Sequence, residues 1–288
     1  MSYPFSRRRF LQAAGAGLSL PLLSQVLTAC QAIAPGGSSS APITEIVWSR
    51  GDDLRTQDPQ LIGGRMEGEI NRCIYDQLFD VGPDGAQIPW LGLEWSSNPE
   101  GTVWTAKMQE GAKFHDGSPV TSADVQFTYE RLLKNPDFQH STSFKDLLAS
   151  VDAPDAATVV FNCSKPAPLF NLLMGEHILS KKSAEENGEN FWEKAIGSGP
   201  FRHVEYVKGE YWLGEAFEDY WKKDLVKVNR LRYRPISEEA TRVAALRSGE
   251  VDIICNVSGE LAEELAKDEN IAIFRRPSLD HLYLLTQQ

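Results

Sequence analysis

The chain has 288 residues, 29 Lys and Arg against 40 Asp and Glu, a net charge of −11 and 42% hydrophobic residues. Its pI is near 5.0 and its mean hydropathy −0.32, the balance of a folded chain with one large or two ordinary domains rather than of a disordered or fibrous one. The acidic balance excludes nucleic acid as an expected partner, because that would need a basic face, and four Cys are too few to staple a chain of this length.

No acidic residue precedes Glu45. Ser6-Arg7-Arg8-Arg9-Phe10-Leu11 is followed by a weakly apolar run from Ala13 to Leu23, a secretory pattern too short and too rich in Gly and Ser for a membrane span. The pair Arg7-Arg8 before Phe-Leu resembles a twin-arginine export signal. Leu27-Thr28-Ala29-Cys30 resembles a lipobox, in which Cys30 is acylated and becomes the first mature residue. Residues 1–29 are therefore expected to be a signal peptide, and the Gly-, Ser- and Pro-rich stretch 30–42 a flexible tether. These features predict an exported protein held by lipid at the outer face of the cytoplasmic membrane.

Ile43–Trp48 alternates as a strand, and Gly51 to Pro59 is rich in turn formers. Met66, Ile70, Cys73, Ile74 and Leu78 recur at helical spacing. Gly82-Pro83-Asp84-Gly85 reads as a turn, Thr102–Met108 as a strand, Thr121-Ser122-Ala123-Asp124 as a helix start and Thr158–Cys163 as a strand. Gly197-Ser198-Gly199-Pro200 leads into a hairpin of Phe201–Tyr206 with Tyr211–Ala216. A strand at Val228–Arg234, a capped helix at Ser237–Gly249, a strand at Val251–Cys255, a helix at Ser258–Lys267 and a strand at Ile271–Arg275 follow. That alternation indicates an α/β lobe with a partly parallel sheet. The last residues, His281 to Gln288, read as an apolar strand without a turn, so the chain is expected to be a fragment.

Catalytic signals are few. His115-Asp116 is a possible acid/base pair, but Phe114-His115-Asp116-Gly117-Ser118-Pro119 is also a string of turn formers between a strand and a helix, and the turn is the favoured reading. His140, His177, His203 and His281 have no zinc spacing, and Cys73, Cys163 and Cys255 sit in apolar patterns as small hydrophobes. Neither a Gly-x-Ser-x-Gly elbow nor a phosphate loop occurs. No metal or cofactor is expected.

Several blocks in order carry a resemblance. Ile74-Tyr75-Asp76-Gln77-Leu78-Phe79, Pro89-Trp90-Leu91, Glu110 to Val125 with its Phe114-His115-Asp116-Gly117 centre, Gly197-Ser198-Gly199-Pro200-Phe201, Tyr220-Trp221 and Ala245 to Asp252 resemble the family 5 extracytoplasmic solute-binding proteins, the binding subunits of oligopeptide, dipeptide and nickel ABC importers. The resemblance implies a type II periplasmic-binding-protein-like α/β lobe, with residues 43–75 and 200–277 as the main lobe and 76–199 as an inserted small α+β domain. A second lobe would begin at 278–288 and is otherwise absent. It also implies a non-enzyme that captures a small solute, foremost a peptide, for ABC permease subunits. The alternatives are a nickel chelate, a sugar or another non-peptide solute, a sensory or chaperone-like lipoprotein without a permease, and an exported hydrolase using His115 and Asp116. By the same resemblance the cleft is expected to be lined by Gly63, Gly64 and Arg65, by Ser141, Thr142 and Phe144 in a loop over His140–Phe144, by Asn256, Val257 and Ser258, and by Ser278, Leu279, Asp280 and His281. Arg65 suits a ligand carboxylate as a planar two-pronged donor. With the second lobe absent, this chain is expected to bind its solute poorly.

Overall fold

A computed structural model describes residues 44–61, 64–82 and 86–275. In chain order the elements are β1 (Glu45–Arg50), α1 (Arg65–Ile74), β2 (Phe79–Val81), β3 (Gln87–Pro89), β4 (Gly92–Ser97), β5 (Val103–Met108), α2 (Ser122–Lys134), α3 (Ser141–Leu147), β6 (Leu148–Asp155) and β7 (Thr158–Cys163). They continue with α4 (Lys181–Asn187), β8 (Phe201–Val207), β9 (Tyr211–Ala216), β10 (Arg230–Pro235), α5 (Glu239–Ser248), β11 (Ile253–Ile254) and α6 (Gly259–Leu265).

Two principal sheets result. The first has the order β11-β1-β10-β9-β8; β1 runs parallel to β10 and β11, and β8, β9 and β10 pair antiparallel. Because β1 is central, its residues Trp48, Ser49 and Arg50 are buried on both faces, where a half-exposed strand would alternate. The second sheet is antiparallel, β4-β5-β7-β6, with α2 packed on β6 and β7. A small β2–β3 ribbon lies beside it in the chain.

Each sheet has its own core. Trp48, Met66, Ile70, Ile74, Trp212 and Tyr233 anchor the first, and Leu91, Phe114, Val125, Tyr129, Val159 and Phe161 the second. Met66, Ile70 and Ile74 recur every fourth residue, which turns one stripe of α1 to that core. Leu179, Phe191 and Ala195 also join the first core, although they fall within 76–199.

Several expectations shift. The helix of 66–78 ends at Ile74, and Leu78 packs in the second core instead. The helix expected to be capped from Ser237 starts at Glu239 with Glu238 as its N-cap, without a side-chain cap bond, whereas Gly249 closes it in the left-handed conformation at φ 73°. Ile271–Arg275 is not a strand: no neighbouring strand pairs with it among the described residues, and Ile271 and Ile273 are only half-buried. The segment over His140–Phe144 is not a loop, because Ser141 opens α3. The turn at 82–85 lies largely outside the described residues.

Candidate functional site

In open α/β sheets ligands bind outside the carboxyl ends of the strands, where the strand order reverses. Here that edge is where β1, β10 and β11 end together, with Arg50 opposite Pro235 and Ser49 opposite Ile254. The connections leaving it are tied by side chains. Arg242 is buried, donates to the carbonyls of Ile236 at 2.7 Å, Ser237 at 2.9 Å and Asn256 at 3.3 Å, and so braces the exits of β10 and β11 with one guanidinium. Arg50, buried at the end of β1, pairs with Glu69 of α1. Cys255 N–H donates to the Ser49 carbonyl at 3.0 Å, and Ser258 N–H donates to Glu239.

The loop that follows β1 is held as firmly. Tyr233 donates to the Asp52 carbonyl, and Tyr206 to the Asp53 carboxylate at 3.2 Å and the Leu54 carbonyl at 2.5 Å. Glu67, fully buried in the first turn of α1, accepts from Arg55 Nε at 2.9 Å and from Arg55 N–H at 3.1 Å. Burial works to raise the Glu67 carboxyl, but the Arg55 guanidinium and backbone N–H groups carry it below the usual carboxylate range. A side chain at Gly64 would meet the ends of the Arg55 and Glu67 side chains, so the pair would have to shift to admit one.

The expected cleft residues fall into three groups. Gly64 and the exposed Arg65 open α1, while Asn256, Val257 and Ser258 leave β11, with Asn256 in the left-handed region at φ 57°. Asn256 follows Cys255, which bonds Ser49 of β1, and α1 meets the end of β1 at Glu69, one turn past Arg65. In α3, Thr142 is exposed, but Ser141 is buried and Phe144, 1% exposed, packs edge-on against Tyr129 and Phe170 in the second core. The α3 start nevertheless approaches the loop before α1, because Gln139 N–H donates to the Gln60 carbonyl at 3.1 Å. Gly63, Ser278, Leu279, Asp280 and His281 lie outside the described residues, as do Arg7, Arg8, Cys30 and all of 1–42.

His115 and Asp116 do not form a catalytic pair. Gly197 N–H donates to His115 Nδ1 at 3.3 Å, which leaves Nε2 as the donor to the Gly199 carbonyl at 3.0 Å. The ring also stands edge-on to Phe217 at 5.0 Å, and burial pushes its pKa down to about 4. Asp116 turns elsewhere, accepting from Ser118 and pairing with Lys182 at 2.9 Å. Among the described residues no group of three or more His, Cys, Asp or Glu could hold a metal ion, and no helix is long and apolar enough to cross a membrane.

Two further polar centres were not evident from the sequence. Asp76, buried, accepts from Trp90 Nε1 at 2.7 Å, Tyr220 hydroxyl at 3.0 Å and Trp221 Nε1 at 3.0 Å, so three separate sequence blocks meet at one carboxylate. Burial raises its pKa against these donors. The second is the ion pair of Asp58 with Arg131. Asp76, Trp90, Tyr220 and Trp221 stood in blocks that carry the resemblance, whereas Asp58 stood only in a stretch of turn formers.

The sequence profile of the bacterial extracellular solute-binding proteins, family 5 Middle, matches residues 86–288. The chain belongs to this family. It is 27% identical over 260 residues to a glutathione-binding protein GsiB of Pectobacterium atrosepticum, covering 86% of this chain and 50% of that protein. To a periplasmic oligopeptide-binding protein OppA of Salmonella typhimurium it is 28% identical over 274 residues, again 86% and 50%. Among solved structures it is similar to AgaA from A. tumefaciens R10 in complex with agropinic acid (TM-score 0.72, 28% identity, 78% of this chain and 46% of that one). It is also similar to DppA from Helicobacter pylori in complex with peptide STSA (TM-score 0.72, 26% identity, 78% and 49%). The fold is thus that of the family 5 periplasmic binding proteins, and the chain spans about half the length of the relatives it matches.

Proposed function

We propose that the protein captures a small solute, foremost a peptide, outside the cytoplasm and hands it to the permease of an ABC importer without chemical change. The observation that carries this reading is the edge where β1, β10 and β11 end: their exits are braced by Arg242 and by the Arg50–Glu69 pair, with Asn256 and Ser258 exposed after β11 and Arg65 exposed at the start of α1. A wall held rigid before the solute arrives lowers the ordering cost of binding. Backbone groups at such an edge suit a peptide main chain. The likeness to oligopeptide- and glutathione-binding proteins and to DppA in complex with peptide STSA supports the same solute class.

In this reading residues 43–75 and 200–277 form the main lobe, 76–199 an inserted domain, and the solute is enclosed by closure against a second lobe that starts near 278. Arg65 takes a solute carboxylate. Residues 1–29 direct export and Cys30 carries the lipid. The reading is of a binding protein and not of a hydrolase using His115 and Asp116, and it is supported by both ring nitrogens of His115 facing main chain while Asp116 pairs with Lys182.

The test is calorimetric titration of the longest reading frame that contains this chain with trialanine, glutathione and nickel–L-histidine, with product analysis by mass spectrometry. Micromolar or tighter binding of a peptide, recovered intact, is expected. Hydrolysis of the peptides that is lost in His115→Ala would overturn the reading, and binding of nickel–L-histidine alone would move the solute to the metal chelates.

A further inference from the structure

At the opposite end of the first sheet from the edge described above, the connection from β9 to β10 returns to the start of β1, where Arg230 N–H donates to the Thr44 carbonyl at 2.8 Å. On this connection Trp221 meets Trp90, which stands between β3 and β4, with ring centroids 5.9 Å apart and planes at 79°. Both indole N–H groups turn inward to the buried Asp76, Trp90 at 2.7 Å and Trp221 at 3.0 Å, so one carboxylate orients both rings. Both oxygens of Asp76 accept, and among the described residues neither faces an acceptor that a proton could serve, the pattern of an ionised carboxylate. An indole that donates to such an anion is polarised toward greater electron density on its ring.

A cation already stands on these rings. Lys222 Nζ lies 3.3 Å from the Trp90 centroid and 4.5 Å from that of Trp221. Among the described residues it enters no ion pair, whereas nearby Lys113 meets Asp219 at 3.0 Å. Burial lowers the Lys222 pKa while the charges of Asp76 and Asp80 oppose that shift, so the field of the carboxylate reaches the ring faces. Over the rings and Lys222 opens a cavity of about 880 Å³, with Lys113, Asp219 and the exposed Leu225 on its other walls, which gives a guest room to enter as Lys222 swings to water.

We propose that Trp90 and Trp221 form a second binding site, for a quaternary ammonium group, which Lys222 fills from the chain itself until such a guest displaces it. The ring faces and the carboxylate behind them favour a cation over a neutral group of the same shape. A quaternary ammonium carries its charge under methyl groups and sheds water more readily than the strongly hydrated ammonium of a lysine. A cation–π contact at a half-exposed position is weak, so Lys222 competes with the guest by only about two- to fivefold. The site stands apart from the strand-end edge and does not depend on which solute binds there.

The experiment titrates choline and its uncharged isostere 3,3-dimethylbutan-1-ol into the whole chain, wild type and Lys222→Ala, and follows the methyl signal of each probe by proton NMR. A methyl group seated on an indole face moves upfield. Saturable millimolar binding of choline to Lys222→Ala is expected, with Overhauser contacts from its methyls to indole protons. Wild type should bind choline about two- to fivefold more weakly, and the isostere should bind at least tenfold more weakly than choline to either protein. Equal affinity for choline and isostere would overturn the proposal, leaving an apolar pocket only. So would the absence of a saturable shift in Lys222→Ala, or a choline affinity there no better than in wild type. Trp90→Phe and Trp221→Phe, each in the Lys222→Ala background, assign the contacted indoles, and contacts to other tryptophans alone would overturn the location; should either variant fail to fold, the comparison of choline with its isostere still decides.

Discussion

His115 illustrates how a residue type that suggests catalysis can serve the fold. Its neutral ring accepts from Gly197 and donates to Gly199, and protonation of Nδ1 would remove that acceptor in a site where charge is poorly solvated. The folded pKa of about 4 lies below the ordinary value of 6.5, so below pH 6.5 the unfolded chain takes up a proton that the folded one refuses. Stability from this group is therefore complete above pH 6.5 and lost as the pH falls toward 4, about 2 kcal/mol of it by pH 5. Urea unfolding at pH 7 and pH 5 should show a pH 5 penalty smaller by that amount in His115→Gln. Asp76 gives a second test at this scale. Asp76→Ala strands the buried Tyr220 hydroxyl and the half-buried indole N–H groups of Trp90 and Trp221, and should cost about 2–4 kcal/mol, read from the urea midpoint and from a shift in tryptophan emission.

At the scale of the elements, α2 carries more than its own length. Its N-cap Thr121 donates by backbone N–H and by hydroxyl to Asp124 Oδ2, both at 2.9 Å, and Asp124 Oδ1 accepts from Lys181 N–H at 3.0 Å at the start of α4. One carboxylate thus starts two helices. Thr121→Ala should cost about 1 kcal/mol, the usual price of a lost cap, and Asp124→Ala about 2–3 kcal/mol because both helix starts lose an acceptor; thermal unfolding of the two variants measures the difference. The packing of α1 on the turn after α4 is similarly selective: Gly199 N–H donates to the Ile74 carbonyl at 2.8 Å, and a Cβ at Gly197 would strike that oxygen.

At the scale of the whole molecule, the twin-arginine and lipobox readings make a cellular prediction. Cys30→Ala should move the protein from the membrane fraction to the soluble exported fraction, while Lys at both Arg7 and Arg8 should leave it inside the cell; fractionation followed by immunoblotting reads both. Retention of Cys30→Ala at the membrane would remove the lipid from the proposed function, although the solute-binding reading would stand.

Periodicity and turn chemistry act over a few residues, and what depends on them was legible in the chain itself. The α1 stripe of Met66, Ile70 and Ile74, the Thr121 start of α2, the β8–β9 hairpin around Gly209 and the β10–α5–β11 alternation stand close to where their residues predicted. The order of motifs along the chain was enough for the family, and the favoured turn reading of His115 agrees with its backbone partners. What required the tertiary structure were the contacts between distant residues: Arg131 with Asp58 across 73 positions, Asp76 with Tyr220 across 144, and Arg242 with the exits of two strands. It also decided which faces were buried, turning Phe144 from an expected cleft residue into core and making α3 a helix where the resemblance implied a loop. The physical reason is that a buried charge is tolerated only beside its partner, and only the folded chain brings that partner within hydrogen-bond reach.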